Sequence, residues 1–406
     1  MELEIRACRP EEFGRFLTTC EAAFGEAASN ESIERHRHVI EAERCFAAWD
    51  GDSMVGTGGN YSFDLTIPGG SLPAAGVTMV GVLPTHRRRG LLTRIMAELR
   101  DDALARNEPL AVLWASETVI YQRFGYGLAT KQGNIEADRD RLVWLDKPPA
   151  RAAARMVTEE DALKVFPEIY DRVCARTPGM FARSADWWRY HRIPDPEEHR
   201  DGAGPMYRVV FELDGKAEGY AMYRIHGDWD VTPKGRLRVI EALGTTPEAT
   251  REVWRFLFGV DLIQTVYGWW LPMDHPLLFM VAEPPRLRMR MVNFLWLRIL
   301  DIERSLAARS YAASDSVVIG IEDEWMPANQ GQWRLDTGGD AVAVTRTDDA
   351  ADLQLSSADL ACIYLGGSTV HQLLGAGRGK ELKEGAATRV DAMFRTDSAP
   401  FCPEIF

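Results

Sequence analysis

The sequence predicts an α/β protein: two tandem domains built on one pattern of strands and helices, then a third, smaller α/β domain. Three observations carry this. Strand and helix signals alternate from the start to about residue 135. The same order returns after a stretch thick in proline and alanine, "DKPPARAAAR" (Asp146–Arg155), which reads as a linker. A chain of 406 residues is also too long for one ordinary domain.

In the first pattern "LEIRAC" reads as a strand. "PEEFGRFLTTCEAAF" reads as an amphipathic helix, with Phe13, Phe16, Leu17, Cys20 and Phe24 at helical spacing. "RCFAAWDGDSMVGTGG" is two strands about an Asp-Gly turn. "AAGVTMVGVL" is a buried strand running into three arginines, and the next helix carries Leu91, Ile95, Leu99 and Ala103 on one face. "PLAVLWAS" is a second buried strand, with a short helix expected near Tyr121.

The second pattern matches it: the helix "EEDALKVFPEIYDRVCAR", a hairpin turning at Asp214-Gly215, the strand "RLRVIEALG", the helix "PEATREVWRFLFG" and the strand "IQTVYGWW". Internal duplication follows. The second copy has "GTTPEATRE" where the first has "PTHRRRGLL", so its arginine–glycine element is missing. A third segment from about Val292 opens with a helix such as "DIERSLAARS" and carries no evident catalytic cluster.

Composition excludes several classes. With 47 Lys+Arg against 60 Asp+Glu and a net charge of −13, the chain is no general nucleic-acid binder, although its acidity would suit a cationic small molecule. Cys8, Cys20, Cys45, Cys174, Cys362 and Cys402 are scattered without a C-x-x-C pair, so neither a disulfide framework nor a zinc site is expected and a cytoplasmic setting fits. No metal is expected. Nothing resembles a signal peptide or a membrane span, since "PLLFMVAEPP" is interrupted by Glu283 and prolines.

Against that acidity, "GVLPTHRRRGLLTRIM" concentrates positive charge at a helix start. Unpartnered N–H groups and the helix dipole favour an anion there. Gly90 lets the backbone approach a diphosphate, and Arg88 or Arg89 can add charge-assisted hydrogen bonds. A solvated basic helix start or a nucleic-acid patch would read the same way.

The surroundings decide. This order of elements resembles the GCN5-related N-acetyltransferase (GNAT) fold, in which a central strand precedes an R/Q-x-x-G-x-G/A loop for the pyrophosphate of acetyl-coenzyme A. Here the loop reads Arg87-Arg88-Arg89-Gly90-Leu91-Leu92, with Leu92 in place of the usual small residue. Downstream, "WASETVIYQRFGYG" resembles that fold's Y-x-x-x-G-F/Y element, with Tyr121, Gly125 and Tyr126. Standing alone, Tyr121 would read as amphipathic core.

The whole chain resembles the Eis (enhanced intracellular survival) family, through "LPTHRRRGLL", "SETVIYQRFGYG" and the carboxy-terminal "YLGG…APFCPEIF". The resemblance implies mixed sheets in a catalytic acetyltransferase domain (1–145), a degenerate acetyltransferase-like domain (156–291) and a sterol-carrier-protein-like domain (292–406). It also implies a homo-hexamer and an amine acceptor: an aminoglycoside, or a lysine or polyamine as alternatives. Val80, Gly81 and Val82 would face the pantetheine arm. Arg88, Arg89, Gly90, Leu91, Leu92 and Thr93 would hold the phosphates, and Ser116 and Glu117 the far wall. Tyr121 would be the proton donor, the α-carboxylate of Phe406 the acceptor, and Glu26 an amine-binding residue. Glu404 would add negative charge. The family's aromatic pocket residue is absent from "NESIERHRHV", which has Glu34, Arg35 and His36; these added cations would weaken polycation binding.

Acyl transfer needs a neutral nucleophile, a polarised thioester carbonyl and a protonated leaving group. No Cys–His or Ser–His–Asp constellation is present, so direct attack in a ternary complex is expected, with a backbone N–H of "MVGVL" polarising the carbonyl. The alternative from another class is a non-catalytic protein that holds an apolar ligand or partner.

Overall fold

A computed structural model describes residues 3–146, 151–339 and 341–406, and divides into two compact units. The first holds the chain up to Thr130, Phe294–Asp397 and Glu404–Phe406; the second holds Lys131–Asn293 and Ser398–Pro403.

The first unit is built on a seven-stranded sheet. Its elements are β1 (Glu4–Ala7), α1 (Phe13–Phe24), α2 (Asn30–Arg37), β2 (Cys45–Asp50), β3 (Ser53–Ile67), β4 (Gly70–Val82), α3 (Leu91–Ala105), β5 (Leu110–Trp114) and β6 (Gly127–Leu128). The sheet runs β1-β2-β3-β4-β5, then the strand Leu295–Ile299, then β6. All neighbours are antiparallel except β4 and β5, which α3 connects as a crossover. Asp50-Gly51 makes the expected turn between β2 and β3, with Gly51 at φ 59°. The helix expected near Tyr121 is two short 3₁₀ turns, Thr118–Ile120 and Gln122–Phe124.

Glycines set how close α3 lies to the sheet. A Cβ on Gly58 would fall 2.5 Å from Ile95 Cγ2, so β3 is bare where Ile95 and Leu99 bury against it. Each such side chain contributes about 1.5–3 kcal/mol. The far end of α3 is held by Arg44, fully buried, which donates to Asp102 at 2.8 Å and to Glu108 at 2.6 Å.

The third segment shares this unit with the first domain. Leu295–Ile299 pairs with β5 from Trp114 to Leu110 and with β6 at Leu128 and Gly127. A five-stranded sheet, ordered Ala343–Arg346, Gly331–Asp336, Ser316–Glu322, Leu353–Ser356, Lys380–Glu381, lies in the same unit. Its helix Ser357–Tyr364 presses on Gly127, whose Cβ would sit 2.0 Å from the Ala358 carbonyl.

The second unit repeats the plan with the sheet order Arg290–Asn293, Lys131–Asp138, Ile263–Pro272, Gly235–Gly244, Lys216–His226, Tyr207–Leu213, Ala153–Met156. Its helices Glu159–Cys174 and Pro247–Gly259, its hairpin at Asp214-Gly215 and its parallel pair fall where the sequence predicts. Two strands differ from expectation. Lys131–Asp138, read as part of the first domain, pairs with Ile263–Pro272, and Ala153–Met156, read as linker, pairs with Tyr207–Leu213. The linker's residues 147–150 lie outside the described residues.

Arg298, on the strand that completes the first sheet, is fully buried and paired with buried Asp323. Asp323→Ala would leave an uncompensated buried charge, so a loss of about 3–5 kcal/mol is expected in urea unfolding of the first unit. Arg298→Leu added to Asp323→Ala should recover most of that loss.

Candidate active site

β4 and β5 pair for only three residues, Ala74↔Leu110, Ala75↔Ala111 and Gly76↔Val112, and then part. β4 continues to Val82 against β3, and β5 to Trp114 against Leu295–Ile299. The cause lies in β4: between Thr78 and Gly81 it carries Met79 and Val80 opposite the single Gly58. This bulge, with Met79 at φ 52°, bends the strand away from its neighbour. Beyond Gly76 the β5-side edge of β4 has no strand partner among the described residues.

The gap opens into a cavity of about 710 Å³. Val80, Gly81 and Val82 form one wall, Ser116 and Glu117 the other, and Arg88, Gly90, Leu91, Leu92 and Thr93 the end. Tyr121 lines it as well. These widely spaced sequence-predicted residues meet in one place. Four expected ones do not line it. Arg89 is exposed beside Arg88, and Glu26 is exposed after α1, its N–H bonded to the Glu21 carbonyl at 2.8 Å. Glu404 is buried, 1% exposed. Phe406 sets its ring edge-on against Phe63, centroids 4.9 Å apart, and Tyr61, 6.4 Å. Asn60 reaches the Leu99 carbonyl on α3, so by strand alternation Tyr61 and Phe63 occupy the opposite face of the sheet.

Sequence reasoning missed Ala23, Phe24, Ile120 and Arg123, which also line the cavity. Ala23 and Phe24 arrive because α1 packs on the glycine of the wall: a Cβ on Gly81 would fall 2.9 Å from the Ala23 Cβ. No local pattern carries that contact.

The arginines of the loop play different parts. Arg87 donates to the carbonyls of Val82, 3.1 Å, and Ala23, 3.0 Å, tying β4 to the end of α1. Arg88 adopts φ 62° and Gly90 φ 78°. Among the described residues, Arg88 and Arg89 make no hydrogen bond or ion pair within the chain. α3 starts without a side-chain cap. Arg94 is the first residue to bond back, to Gly90 O at 3.2 Å, so the N–H groups of Leu91, Leu92 and Thr93 have no intrahelical partner. A Cβ on Gly90 would meet nothing within 4 Å. An uncapped helix start, two uncommitted guanidiniums and open space fit a diphosphate. Leu92 is half-buried; it packs on the core below and borders the cavity, so its side chain leaves the helix start open. His86 bridges Thr85 Oγ1, 2.8 Å, and Asp50 Oδ2, 3.2 Å, at the cavity edge.

Tyr121 sits between the two 3₁₀ turns. Its carbonyl accepts the N–H of Phe124 at 3.0 Å and of Tyr126 at 3.3 Å, and its ring meets Tyr126 edge-on at 6.0 Å. The motif glycine, Gly125, has φ 78°, and a Cβ there would fall 1.8 Å from Arg298 Nη1. The buried arginine therefore requires a glycine at this point and braces the turn that presents the phenol. Burial, then the nearby Glu117 charge, push the Tyr121 hydroxyl up to about 12.

Comparison with known proteins agrees with this geometry. Residues 4–129 and 179–299 each match an acetyltransferase (GNAT) domain, and 302–403 match a sterol carrier protein domain. An uncharacterized N-acetyltransferase of Streptomyces avermitilis is 40% identical over 411 residues, covering 100% of both chains. The N-acetyltransferase Eis of Mycobacterium tuberculosis is 29% identical over 411 residues, 97% of this chain and 98% of that one. The crystal structure of Eis1 from Mycobacterium abscessus superposes with a TM-score of 0.87 at 30% identity, covering 99% of this chain and 100% of that one.

A phenol held near 12 stays protonated through the physiological range. Difference absorbance between the wild type and Tyr121→Phe should therefore show no tyrosinate signal from this residue below about pH 11, whereas an exposed tyrosine ionises near 10.

Proposed function

The chain belongs to the Eis family of N-acetyltransferases, and on that footing we propose that it carries acetyl from acetyl-coenzyme A to a primary amine of a cationic, multi-amine acceptor, an aminoglycoside first among them. One observation carries the reading: a single cavity joins the uncapped start of α3 to the Tyr121 phenol across the parted strands.

Acetyl-coenzyme A supplies an activated thioester. Arg88 and the N–H groups of Leu91 to Thr93 would hold its diphosphate, with Arg89 adding charge from the exposed side. Val80 to Val82 and Ser116 to Glu117 would flank the arm, and the free edge of β4 would offer N–H groups to the thioester carbonyl. The neutral amine nitrogen bonds the acetyl carbon as the C–S bond breaks. Tyr121 gives its phenolic proton to the departing sulfur, and the α-carboxylate of Phe406 takes the proton shed by the amine nitrogen, directly or through water. A water-exposed carboxylate would be a weak base, and burial raises its proton affinity.

Charge supports a cationic acceptor. The chain carries −13 overall, and the cations of α2 are met locally: Arg35 pairs with Glu31 at 2.9 Å and Arg37 with Glu34 at 3.1 Å. Their repulsion of a polyamine is thereby reduced. Glu26 and Glu404 remain the acidic residues proposed to favour the amine. Six buried free cysteines support a cytoplasmic setting. Exposed Val143, Leu145 and Phe279 support a homo-oligomer, the hexamer of the family.

Thiol release from acetyl-coenzyme A should accelerate with tobramycin, and a diamine and a lysine peptide run alongside rank the acceptors. Tyr121→Phe should lower kcat by about 10²-fold or more with KM for acetyl-coenzyme A little changed. Arg88→Ala should instead raise that KM about tenfold. No acetylation of any amine would refute the assignment.

A further inference from the structure

The second unit also parts its parallel strands, and the space between them suits a different occupant. Gly235–Gly244 and Ile263–Pro272 pair only as far as Val239↔Gly268, and a bulge at Ile240, between Glu241 and Val239, marks the parting. A cavity of about 380 Å³ opens there, a size that takes a small organic molecule. All of its lining residues belong to the second unit, those of the tail segment Ser398–Pro403 included. Its phosphate end is closed. Thr246 caps the helix Pro247–Gly259 by accepting the Ala249 N–H at 3.0 Å, and Pro247 has no N–H to offer. A Cβ on Gly244 would lie 2.3 Å from the Thr250 nitrogen, so strand end and helix touch where phosphates would need room.

The walls are aromatic: Trp254, Trp269, Trp270 and Phe401 all line the cavity. Trp269 and Trp270 sit at an irregularity of their strand, whose pairing with Lys131–Asp138 passes from Gly268↔Ile135 to Leu271↔Gly133. Trp270 stands at φ 64°, a conformation that a bulky residue keeps only where its surroundings impose it, and its N–H donates to Asn134 Oδ1 at 3.1 Å.

Buried donors accompany these rings. His275, 7% exposed, and Trp254, 1% exposed, both line the cavity with ring centroids 5.3 Å apart. His275 Nδ1 accepts the Leu277 N–H at 3.1 Å, so the ring proton belongs on Nε2. Burial drives this imidazole down to about 3, which keeps it neutral. Among the described residues neither His275 Nε2 nor Trp254 Nε1 has a hydrogen-bond partner. Buried N–H groups left in that state are costly, and an acceptor brought into the cavity would relieve them. The charges nearby are already engaged. Glu241 pairs with Arg183 at 2.7 Å and Arg192 at 3.2 Å. Arg176 and Asp274, exposed and opposite in sign, hold the Thr245 carbonyl at 2.7 Å and the Ala399 N–H at 2.8 Å.

We propose that this cavity binds an uncharged, phosphate-free aromatic molecule, its rings among Trp269, Trp270 and Phe401 and its carbonyl or similar acceptor on the Trp254 and His275 N–H groups. The site stands apart from acetyl transfer in the first unit and does not rest on that reading.

Equilibrium dialysis of the full chain against benzophenone tests it, with diphenylmethane and diphenylacetate alongside. The wild type should hold benzophenone, diphenylmethane about fivefold more weakly for want of the acceptor, and diphenylacetate no more tightly than the ketone. Irradiation of bound benzophenone should label peptides that contain Trp269, Trp270 or Phe401. Trp269→Ala alters a half-exposed ring, and His275→Asn keeps an acceptor for the Leu277 N–H while withdrawing the Nε2 proton. Each should weaken benzophenone about fivefold. A wild type that takes up no benzophenone, labelling confined to the first unit, or unchanged affinity in both variants would overturn the site. Equal affinity for diphenylmethane would overturn the part given to the acceptor, and tighter binding of diphenylacetate would overturn the choice of an uncharged ligand.

Discussion

Two parallel strands that pair for three residues and then separate are the constraint on which this structure depends. A sheet satisfies its backbone by continuing; here β4 and β5 stop at Gly76 and Val112, and the unpaired groups beyond need another partner. The separation survives because each strand is held on its far side, β4 by β3 and β5 by Leu295–Ile299. The bulge at Met79 and Val80 sets the direction of departure. A ligand with amides along its length can answer such an edge as a strand would, and the start of α3, at the end of the gap, answers its charge.

The duplicated copy shows which part of that design is separable. Both units keep the bulge and the parting, yet only the first leaves its helix start uncapped. Threonine at position 246 and proline at 247 satisfy or remove the donors that Leu91 to Thr93 leave open. A few residues at one helix end therefore decide between an open, uncapped start and a closed turn, while the strands around them hold the same course. Conversely, the amides of the tail, at Ala399 and Phe401, find carboxylate and carbonyl acceptors in the second unit.

The elements of both copies were legible because their signals are local: helical spacing in "FGRFLTTCEAAF", Asp-Gly at both hairpins, buried runs at both parallel strands. The loop from Arg88 to Thr93 and the turn at Tyr121 were legible through their order and their resemblance to a known fold's motifs, since a basic helix start alone also reads as a solvated one and Tyr121 alone as core. What stayed hidden was partnership across long separations. "FLWLRIL" reads as an apolar run, and nothing in it specifies that it lies between β5 and β6. The need for glycine at 125 comes from Arg298, far along the chain, and the lining by Ala23 and Phe24 from helix packing on Gly81. Three adjacent arginines, alike in sequence, also proved unlike in role. Arg87 and Arg88 both border the cavity, but Arg87 spends its guanidinium as a structural tie while Arg88 leaves its own uncommitted, and Arg89 faces solvent. The tail's division between two units is the extreme case, since Pro403 and Glu404 are adjacent in sequence.

Tyr121, as the proposed proton donor, raises a matching problem that the same geometry answers. A phenol pushed up to about 12 is a weaker acid than an alkyl thiol, near 8.5 in water, so transfer between bulk-like groups would run uphill. Burial, though, acts on anions generally: the desolvation that disfavours tyrosinate at position 121 also disfavours a thiolate expelled beside it. The Glu117 charge, which adds to the phenol's shift, would act on a sulfur bound beside Tyr121 in the same sense. The relevant difference is therefore smaller than the two solution values suggest, and it narrows as the C–S bond lengthens. Closing the cleft around its ligand would serve catalysis twice, by strengthening the hydrogen bond to the sulfur and by bringing donor and acceptor toward equal proton affinity.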